Sequence, residues 1–543
     1  MAQLQSTSIA APGFYGLNTQ ESSITLASGF ALEATNCVID KYGRLGSRQG
    51  WIDRTSASTV VNIKGVHEFI NNSGVSEYVS WGDNKVYSGL STLTDITNSA
   101  SISADNWQSA TLSNRTYLFQ RGHHPLILES GGSLIRVDAA VGNAGTPPQA
   151  NTVLSSYGRL WAADITGNNH TIYFSDIVTQ GGGGMKWAGG TSGNLDIAKV
   201  WTKGGDSIVA LAAFNGRLII FCKNSIVIYD DKGAGDNYLT PSDLRLVDVI
   251  EGVGCMARDS VQNTGTDILF LSNSGIRSLG RIIQEKSAPL GELSINVRDE
   301  LTALAESEPV DNIKSVYSPK HAFYLISFPS SEQAYCFDTR GKLENGAART
   351  TRWADFKHKG MVNTSDNKLL FGQTAGIAEY SGYSDNGVTY RMFYYTNYFD
   401  FDQPTTVKIL KSVGITLIGG SGQVFTIKSG IDYSDEYRSY NATVKQTALS
   451  EYGIDEAPYS EYGPSPLNED GDPYTPYTVT WDGGSGTSVA GTAEYTGGGG
   501  TDRVKLSIGG SGTVIQLGFE TEISGNEVSI QKFDLYIKIG RVI

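Results

Sequence analysis

The chain reads as all-β: a β-propeller of six or seven blades, followed by a β-sandwich or barrel-like C-terminal domain. Three observations predict this. Glycine is abundant (64 residues), proline is sparse (15), and aromatics make up 10% of the 543 residues, a mixture of turn formers and bulky strand formers. Short apolar hairpins begin near residues 77, 116, 159, 217, 267, 323 and 368, at intervals of 39 to 58 residues. That spacing suits propeller blades and is too long for a sandwich, whose turns recur every ~8–12 residues. Beyond about residue 391 the texture changes to longer alternating strands. A chain of this length exceeds what one core can hold, and 39% hydrophobic residues suffice to fill two or three.

The first element runs from Pro12 to Trp51. Pro12-Gly13-Phe14-Tyr15-Gly16-Leu17-Asn18-Thr19 reads as a turn with an aromatic-glycine step. Ser28 is placed to cap a short helical turn over Phe30–Ala34. Asn36-Cys37-Val38-Ile39-Asp40 and Arg44-Leu45-Gly46-Ser47-Arg48-Gln49-Gly50-Trp51 then flank a glycine turn at Tyr42-Gly43, as two arms of a hairpin. Residues 1–55 are therefore a segment of their own, able to pack with the C-terminal domain, and residues 56–390 are the propeller.

Within the propeller each unit is an apolar strand, a polar turn and a second strand. Arg217–Phe221 with Ile226–Tyr229, and Phe323–Ile326 with Ala334–Phe337, are the clearest. Their strands suit sheets buried on both faces, and their turns carry Asn, Gly, Asp or Ser. One helix interrupts the series: Ser294 precedes Ile295, Val297, Leu301 and Leu304 at helical spacing, with Asp299 and Glu300 on the wet side. It fits either against a propeller flank or at a subunit contact.

From 391 to 543 the aromatics Phe393, Tyr394, Tyr395, Tyr398 and Phe399 crowd together. Strands follow at Val407–Leu410, Ser412–Ile418 and Val424–Lys428, and again at Arg503–Ile508, Thr513–Glu520, Glu527–Ser529 and Phe533–Ile539. Between them lies a long Tyr/Gly/Pro-rich acidic insertion at about 432–500. A loop of that length inside a domain is functional or disordered.

The chemistry-bearing patterns fail one by one. His67-Glu68 opens like a zinc-protease helix, but Asn71 stands where the second histidine belongs. Glycine runs at 181–184 and 497–500 lack the Lys-Ser/Thr of a phosphate loop, and no Gly-x-Ser-x-Gly elbow occurs. Six histidines and four distant cysteines show no metal spacing, so we expect buried thiols, no cofactor, no metal and no enzymatic activity. Ser384-Asp385-Asn386-Gly387-Val388-Thr389-Tyr390 is close to the Asp-box turn of sialidase-like propellers, displaced by one residue and present once. Such boxes are structural turns. A net charge of −14 speaks against general affinity for nucleic acid or anionic membrane. No Lys or Arg precedes Lys41, no apolar leader follows the first Met, and no run of eighteen apolar residues occurs. Neither a signal peptide nor a membrane span is expected.

The order Gly16-Leu17-Asn18-Thr19, a small Ala-rich stretch, Asn36 with an apolar strand, then Gly43-Arg44-Leu45 and Arg48-Gln49-Gly50 resembles the N-terminus of tail nozzle (tail tubular or tail hub) proteins of short-tailed bacteriophages. The resemblance implies a propeller paired with β-rich domains in a structural virion protein of the viral tail, assembled in the host cytoplasm. It implies a homohexameric ring below the adaptor of the head-to-tail connector, tail fibres or tailspikes as further partners, and genomic DNA in transit without specific binding. Phe393, Tyr394, Tyr395, Tyr398 and Phe399 are then the candidate subunit interface. Between Lys445 and Arg503 there is no Lys or Arg, and ten acids fall there, among them Glu451, Asp455, Glu456, Glu461, Glu469, Asp470 and Asp472. These seven are candidates to line or rim the channel, since an acidic wall keeps DNA from sticking. The alternative is a carbohydrate-binding or glycan-cleaving propeller of tailspike or sialidase type. A third possibility, an intracellular scaffold, calls for a strongly repeated blade motif that is missing.

Overall fold

The computed structural model describes residues 4–444 and 501–542, apart from 24, 57–60, 99–101, 104, 130–131, 141, 179–184, 202–203, 232–243, 281–291, 421 and 435. Two further short strands, Thr478–Val479 and Ser488–Val489, pair with each other. Most of the acidic insertion, including Glu451 to Asp472, lies outside the described residues.

Seven sheets follow one another along residues 63–380. Their first strands are Ile63–Ile70, Gln108–Leu112, Ala150–Ser156, Ile208–Phe214, Gln262–Asn263, Lys314–Ser318 and Gly360–Asn363. The first strand of each sheet lies innermost. The second blade meets the third and the third the fourth along these strands, and the last blade meets the first, closing the ring. Each hairpin read from the sequence supplies the second and third strands of one sheet, for example Arg217–Cys222 with Ser225–Asp231. These middle strands are buried on both faces: Leu218, Ile219, Ile220, Phe221 and Cys222 are all sealed from solvent. Alternate residues thus face different neighbouring blades, Leu218, Ile220 and Cys222 one core and Ile219 and Phe221 the next. Hence the hairpins read as unbroken apolar runs.

Six sheets form from one contiguous stretch each as far as their blade strands go. The seventh does not. Its outer strand is Trp51–Asp53, paired antiparallel with Gly376–Tyr380 through Ala378↔Asp53 and Tyr380↔Trp51. The N-terminus therefore latches the ring, at a sequence separation of more than 300 residues.

The second unit is a sandwich. One layer centres on the long strands Thr406–Gly419 and Val528–Val542, flanked by Leu4–Ala10, Cys37–Ile39, Leu45–Ser47, Thr501–Leu506 and Gly510–Gly512. The other runs Gly16–Leu17, Phe30–Thr35, Tyr390–Thr396, Ile515–Ile523, Val424–Ile431, Arg438–Thr443. Phe14, Ile415, Leu417, Phe519, Phe533 and Leu535 fill the space between the layers. The second layer is hydrogen-bonded to the outer strand of the sixth blade, Ala348–Ala354, by the parallel pairings Gly16↔Thr350 and Arg352↔Thr35. One ten-stranded sheet thus runs from blade into sandwich.

Three local expectations change. Phe30–Ala34 is a strand rather than a capped helical turn, because it pairs with Gly16–Leu17 on one side and Tyr390–Thr396 on the other. Tertiary pairing outweighs the helix propensity of Ala, Leu and Glu. The separate strands expected at 407–410 and 412–418 are one, as are 527–529 and 533–539, with β-bulges at the breaks. The helix is Arg298–Ser307, preceded by a 3-10 turn at Ile295–Val297. Ser294 does not cap it: its hydroxyl accepts from the Ile276 N–H and donates to Glu292. Val297, Leu301 and Ala305 pack into the large core on the propeller flank.

Close approach of backbones sets the seam between the last and first blades. A Cβ on Gly360 would lie 2.6 Å from the Gly65 Cα, and main chain cannot yield as a side chain can. Gly360→Val is expected to cost about 1–3 kcal/mol by overpacking, read as a lower urea midpoint at unchanged slope. An unaltered midpoint would show that the seam is looser than described.

Candidate functional site

Among the charge clusters of the described residues, one lies at an end of the ring and another at its junction with the sandwich. The first is at the end of the ring where the innermost strands begin. A cavity of about 500 Å³ opens there, lined by Lys64, Asp105, Asn106, Asp311, Lys314 and Lys359 among others. These residues sit on or just before first strands of the first, second, sixth and seventh blades. Beneath it Arg258 and Lys314 share one carboxylate, Asp259. Arg258 reaches Asp259 with Nε and Nη2, each at 2.8 Å, and the Asn151 carbonyl with Nη1 at 2.7 Å. Lys314 Nζ donates to Asp259 and, at 2.8 Å, to Asn106 Oδ1. Burial alone would push the Asp259 carboxyl up, but Arg258 and Lys314 overcome it and hold the group well below the usual carboxylate range. Burial lowers Lys314. Blades two, three, five and six are thereby tied across the axis by hydrogen-bonded charge. Lys64 pairs with Asp105 at 2.8 Å on the cavity wall.

The second place is the junction of propeller and sandwich. Arg48 is fully buried and forms a two-pronged ion pair with Asp385, Nη1–Oδ1 at 2.8 Å and Nη2–Oδ2 at 2.7 Å. Its Nε donates to Asn36 Oδ1 at 3.0 Å and Nη1 also to the Gln49 carbonyl. The guanidinium lies over the rings of Tyr390 at 4.0 Å and Trp51 at 4.9 Å. Burial raises the Asp385 carboxyl above its ordinary value despite the pull of Arg48. Asp385 belongs to the Asp-box-like turn, and its main chain bonds Val388 in both directions. The motif acts as a structural turn that receives Arg48. Beside Trp51 sits His358, sealed from solvent and stacked on Phe371 at 4.8 Å. Neither ring nitrogen has a hydrogen-bond partner among the described residues. Burial, with the nearby Arg48 charge, drives its imidazole down to about 3.

The aromatic run near 393 does not form one surface. In the strand Tyr390–Thr396 alternate residues face opposite ways. Tyr394 is fully buried between Phe14 and Phe533, and Phe399 is buried beside Ile515. Both are core residues, which removes them from a subunit interface. Phe393, Tyr395 and Tyr398 are half-buried on other faces. Tyr395 donates to Glu520, which also takes Lys428 at 2.8 Å and Arg391. Burial would raise Glu520, yet Lys428, Tyr395 and Arg391 together keep it low. The acidic candidates Glu451, Asp455, Glu456, Glu461, Glu469, Asp470 and Asp472 lie outside the described residues, so the fold neither joins nor separates them.

The four cysteines are buried free thiols; burial raises Cys222 and Cys255 to about 12. Among the described residues no group of three or more His, Cys, Asp or Glu gathers as a metal site, and no helix is long and apolar enough to cross a membrane. His67 lies on a strand, its ring 2.7 Å from the Thr111 hydroxyl. The axial residues escaped sequence reasoning because they come from several blades far apart in the chain. The only trace is a charged or amide residue recurring beside the start of first strands.

No family model and no curated protein matches the chain. Solved structures match in fold alone. PorZ, a surface component of the type-IX secretion system of Porphyromonas gingivalis, is 13% identical over 64% of this chain and 42% of its own, with a TM-score of 0.33. The extracellular domain of BT4673 from B. thetaiotaomicron is 10% identical over 75% and 50%, TM-score 0.37. A streptogramin B lyase is 10% identical over 61% and 97%, TM-score 0.35. The chain spans half or less of the length of the first two.

Two outcomes are expected. Arg48→Met leaves the half-buried Asp385 carboxylate without its partner and should cost up to about 3 kcal/mol. The double variant Arg48→Met/Asp385→Asn should recover part of that loss, as read by chemical denaturation. No recovery would mean that Arg48 acts by its shape alone. For His358 the folded value, about 3, lies below the ordinary 6.5, so the unfolded chain takes up the proton first. Its contribution is complete above about pH 6.5 and is lost as pH falls toward 3. Between about pH 4.5 and 6, His358→Phe should flatten the stability–pH slope by up to about 1.4 kcal/mol per pH unit. An unchanged slope would show that His358 is already protonated in the fold.

Proposed function

We propose that the chain is a structural tail protein, a nozzle subunit of a short-tailed bacteriophage that assembles with its own copies into a six-fold ring through which DNA leaves the particle. The observation that carries the reading is the stretch Pro12–Trp51. Its residue order resembles the N-terminus of that family. In the fold residues of that order pair with the sixth blade (Gly16 with Thr350), fill the sandwich core (Leu45) and hold the junction (Arg48). A pattern held by three long-range roles is a signature of the whole two-unit fold, and residues that only filled a local hairpin would not need that order. The adaptor ring, fibres or tailspikes are the partners this reading requires.

A second reading, a ligand-binding propeller, draws on the axial cavity. Pockets of that size that carry convergent polar groups are where small ligands bind.

Native mass measurement and electron microscopy of the purified protein, alone and with adaptor and head particles, should show a six-fold ring. A strictly monomeric state under all those conditions would sink the proposal. Within the ring reading, replacing Glu451, Asp455, Glu456, Glu469 and Asp470 by Lys is expected to slow DNA ejection, most strongly at low salt, because repulsion acts only within a Debye length of ~8 Å at physiological ionic strength. Wild-type ejection rates at every salt concentration would remove the acidic segment from the channel.

A further inference from the structure

The axial cavity has a charge balance opposite to that of the chain. At its walls and floor stand four cationic side chains, Lys64, Arg258, Lys314 and Lys359, against three carboxylates, Asp105, Asp259 and Asp311. The difference, four minus three, is +1 in a protein whose net charge is −14. The cations are not equally engaged. Lys64 is paired with Asp105, and Arg258 is saturated by Asp259, Asn151 and Asn106. Lys314 uses two of its three N–H donors on Asp259 and Asn106, which among the described residues leaves one on a half-buried side chain that lines the cavity. Lys359 lines the cavity at the start of the adjacent, seventh blade and has no ion-pair partner among the described residues.

Around these charges the lining is neutral and hydrogen-bonding. Asn84 comes from the turn between the second and third strands of the first blade. Gln120 anchors the Asn106 N–H through Oε1 at 2.9 Å, and among the described residues its amide N–H₂ has no acceptor. Asn312 and Asp311 enter from the approach to the sixth blade. Amides and a carboxylate offer both donors and acceptors, which matches hydroxyl groups, themselves both donors and acceptors. The volume, about 500 Å³, lies within the ~300–1,000 Å³ of small-molecule sites.

We propose that this cavity binds an acidic sugar: a pyranose whose carboxylate is held by Lys359 and the open donor of Lys314, and whose hydroxyls are met by Asn84, Gln120, Asn312 and Asp311. A half-buried cation with an unused donor favours an anionic group over water, since Coulomb attraction between two ions then adds to the hydrogen bond. The surrounding amides select a polyol over a bare oxyanion. No bond is made or broken in this assignment. It does not depend on ring assembly, because all the residues belong to one chain.

The test is calorimetric titration of the full-length protein with sodium glucuronate, with glucose and inorganic phosphate as separate probes. Saturable glucuronate binding is expected, at least about tenfold tighter than glucose or phosphate, and weaker as sodium chloride is raised. Lys359→Met should lose at least about tenfold in affinity with the thermal midpoint unchanged, and Lys359→Arg should restore part of it. Lys314 is left intact because its loss would remove one of the two cations that hold Asp259. If Lys359→Met is unstable, the salt dependence of glucuronate binding to the wild-type protein decides instead. Absence of saturable glucuronate binding at millimolar concentrations overturns the proposal. So does glucose or phosphate binding as tightly as glucuronate, wild-type affinity in a folded Lys359→Met variant, or affinity indifferent to salt.

Discussion

The buried pair of Arg48 and Asp385 is the constraint on which the two-unit architecture rests. Arg48 leaves the sandwich strand Leu45–Ser47 and enters the joint; Asp385 stands where the chain leaves the last blade and returns to the sandwich. Holding both crossing points together needs a contact that is directional as well as strong. The two-pronged geometry provides direction, and the rings of Tyr390, Trp51 and Trp353 exclude water around the guanidinium. Asn36 takes up the Nε–H, and its own side-chain amide reaches the Arg391 carbonyl at 2.8 Å. A buried charge in such a place is tolerated because it is paired and four of its five N–H donors are hydrogen-bonded.

From that joint, order spreads in two directions. Trp51–Asp53 completes the seventh sheet, so ring closure depends on a strand contributed from the far end of the chain. In the other direction Gly16 pairs with Thr350, and a Cβ at Gly16 would stand 2.4 Å from the Thr350 carbonyl oxygen at a φ of +82°. Only glycine permits that approach. The sixth blade and the sandwich therefore share a sheet, which leaves little freedom for one unit to move against the other.

The axis of the ring is organised on a different principle. There charged side chains gather beside the beginnings of the first strands of several blades. Arg258, Asp259 and Lys314 lock neighbouring blades by a compact network, while Lys359 and the open donor of Lys314 remain directed to ligand chemistry. Stability and recognition thus come from the same few residues, with Asp259 serving the first role and Lys359 the second.

By itself the sequence determined the repeating hairpins, because their middle strands are buried on both faces and so read as apolar runs between Asn and Gly turns. It also determined the helix near 298–307 and the change of texture after 390, each a matter of local periodicity. The Asp-box-like turn at Asp385 was legible as a turn, though not its partner. What only the tertiary structure decided is everything that joins distant segments. Phe30–Thr35 became a strand because two other strands flank it. Tyr394 became core because alternation in a sheet sends neighbours to opposite faces, and only the opposite layer says which face is wet. Arg48 met Asp385 across 337 residues, and Lys64, Asp105, Asp311, Lys314 and Lys359 met only when seven blades closed. Local patterns encode pairing with near neighbours; closure of a ring is a condition on the whole chain, and no window of sequence contains it.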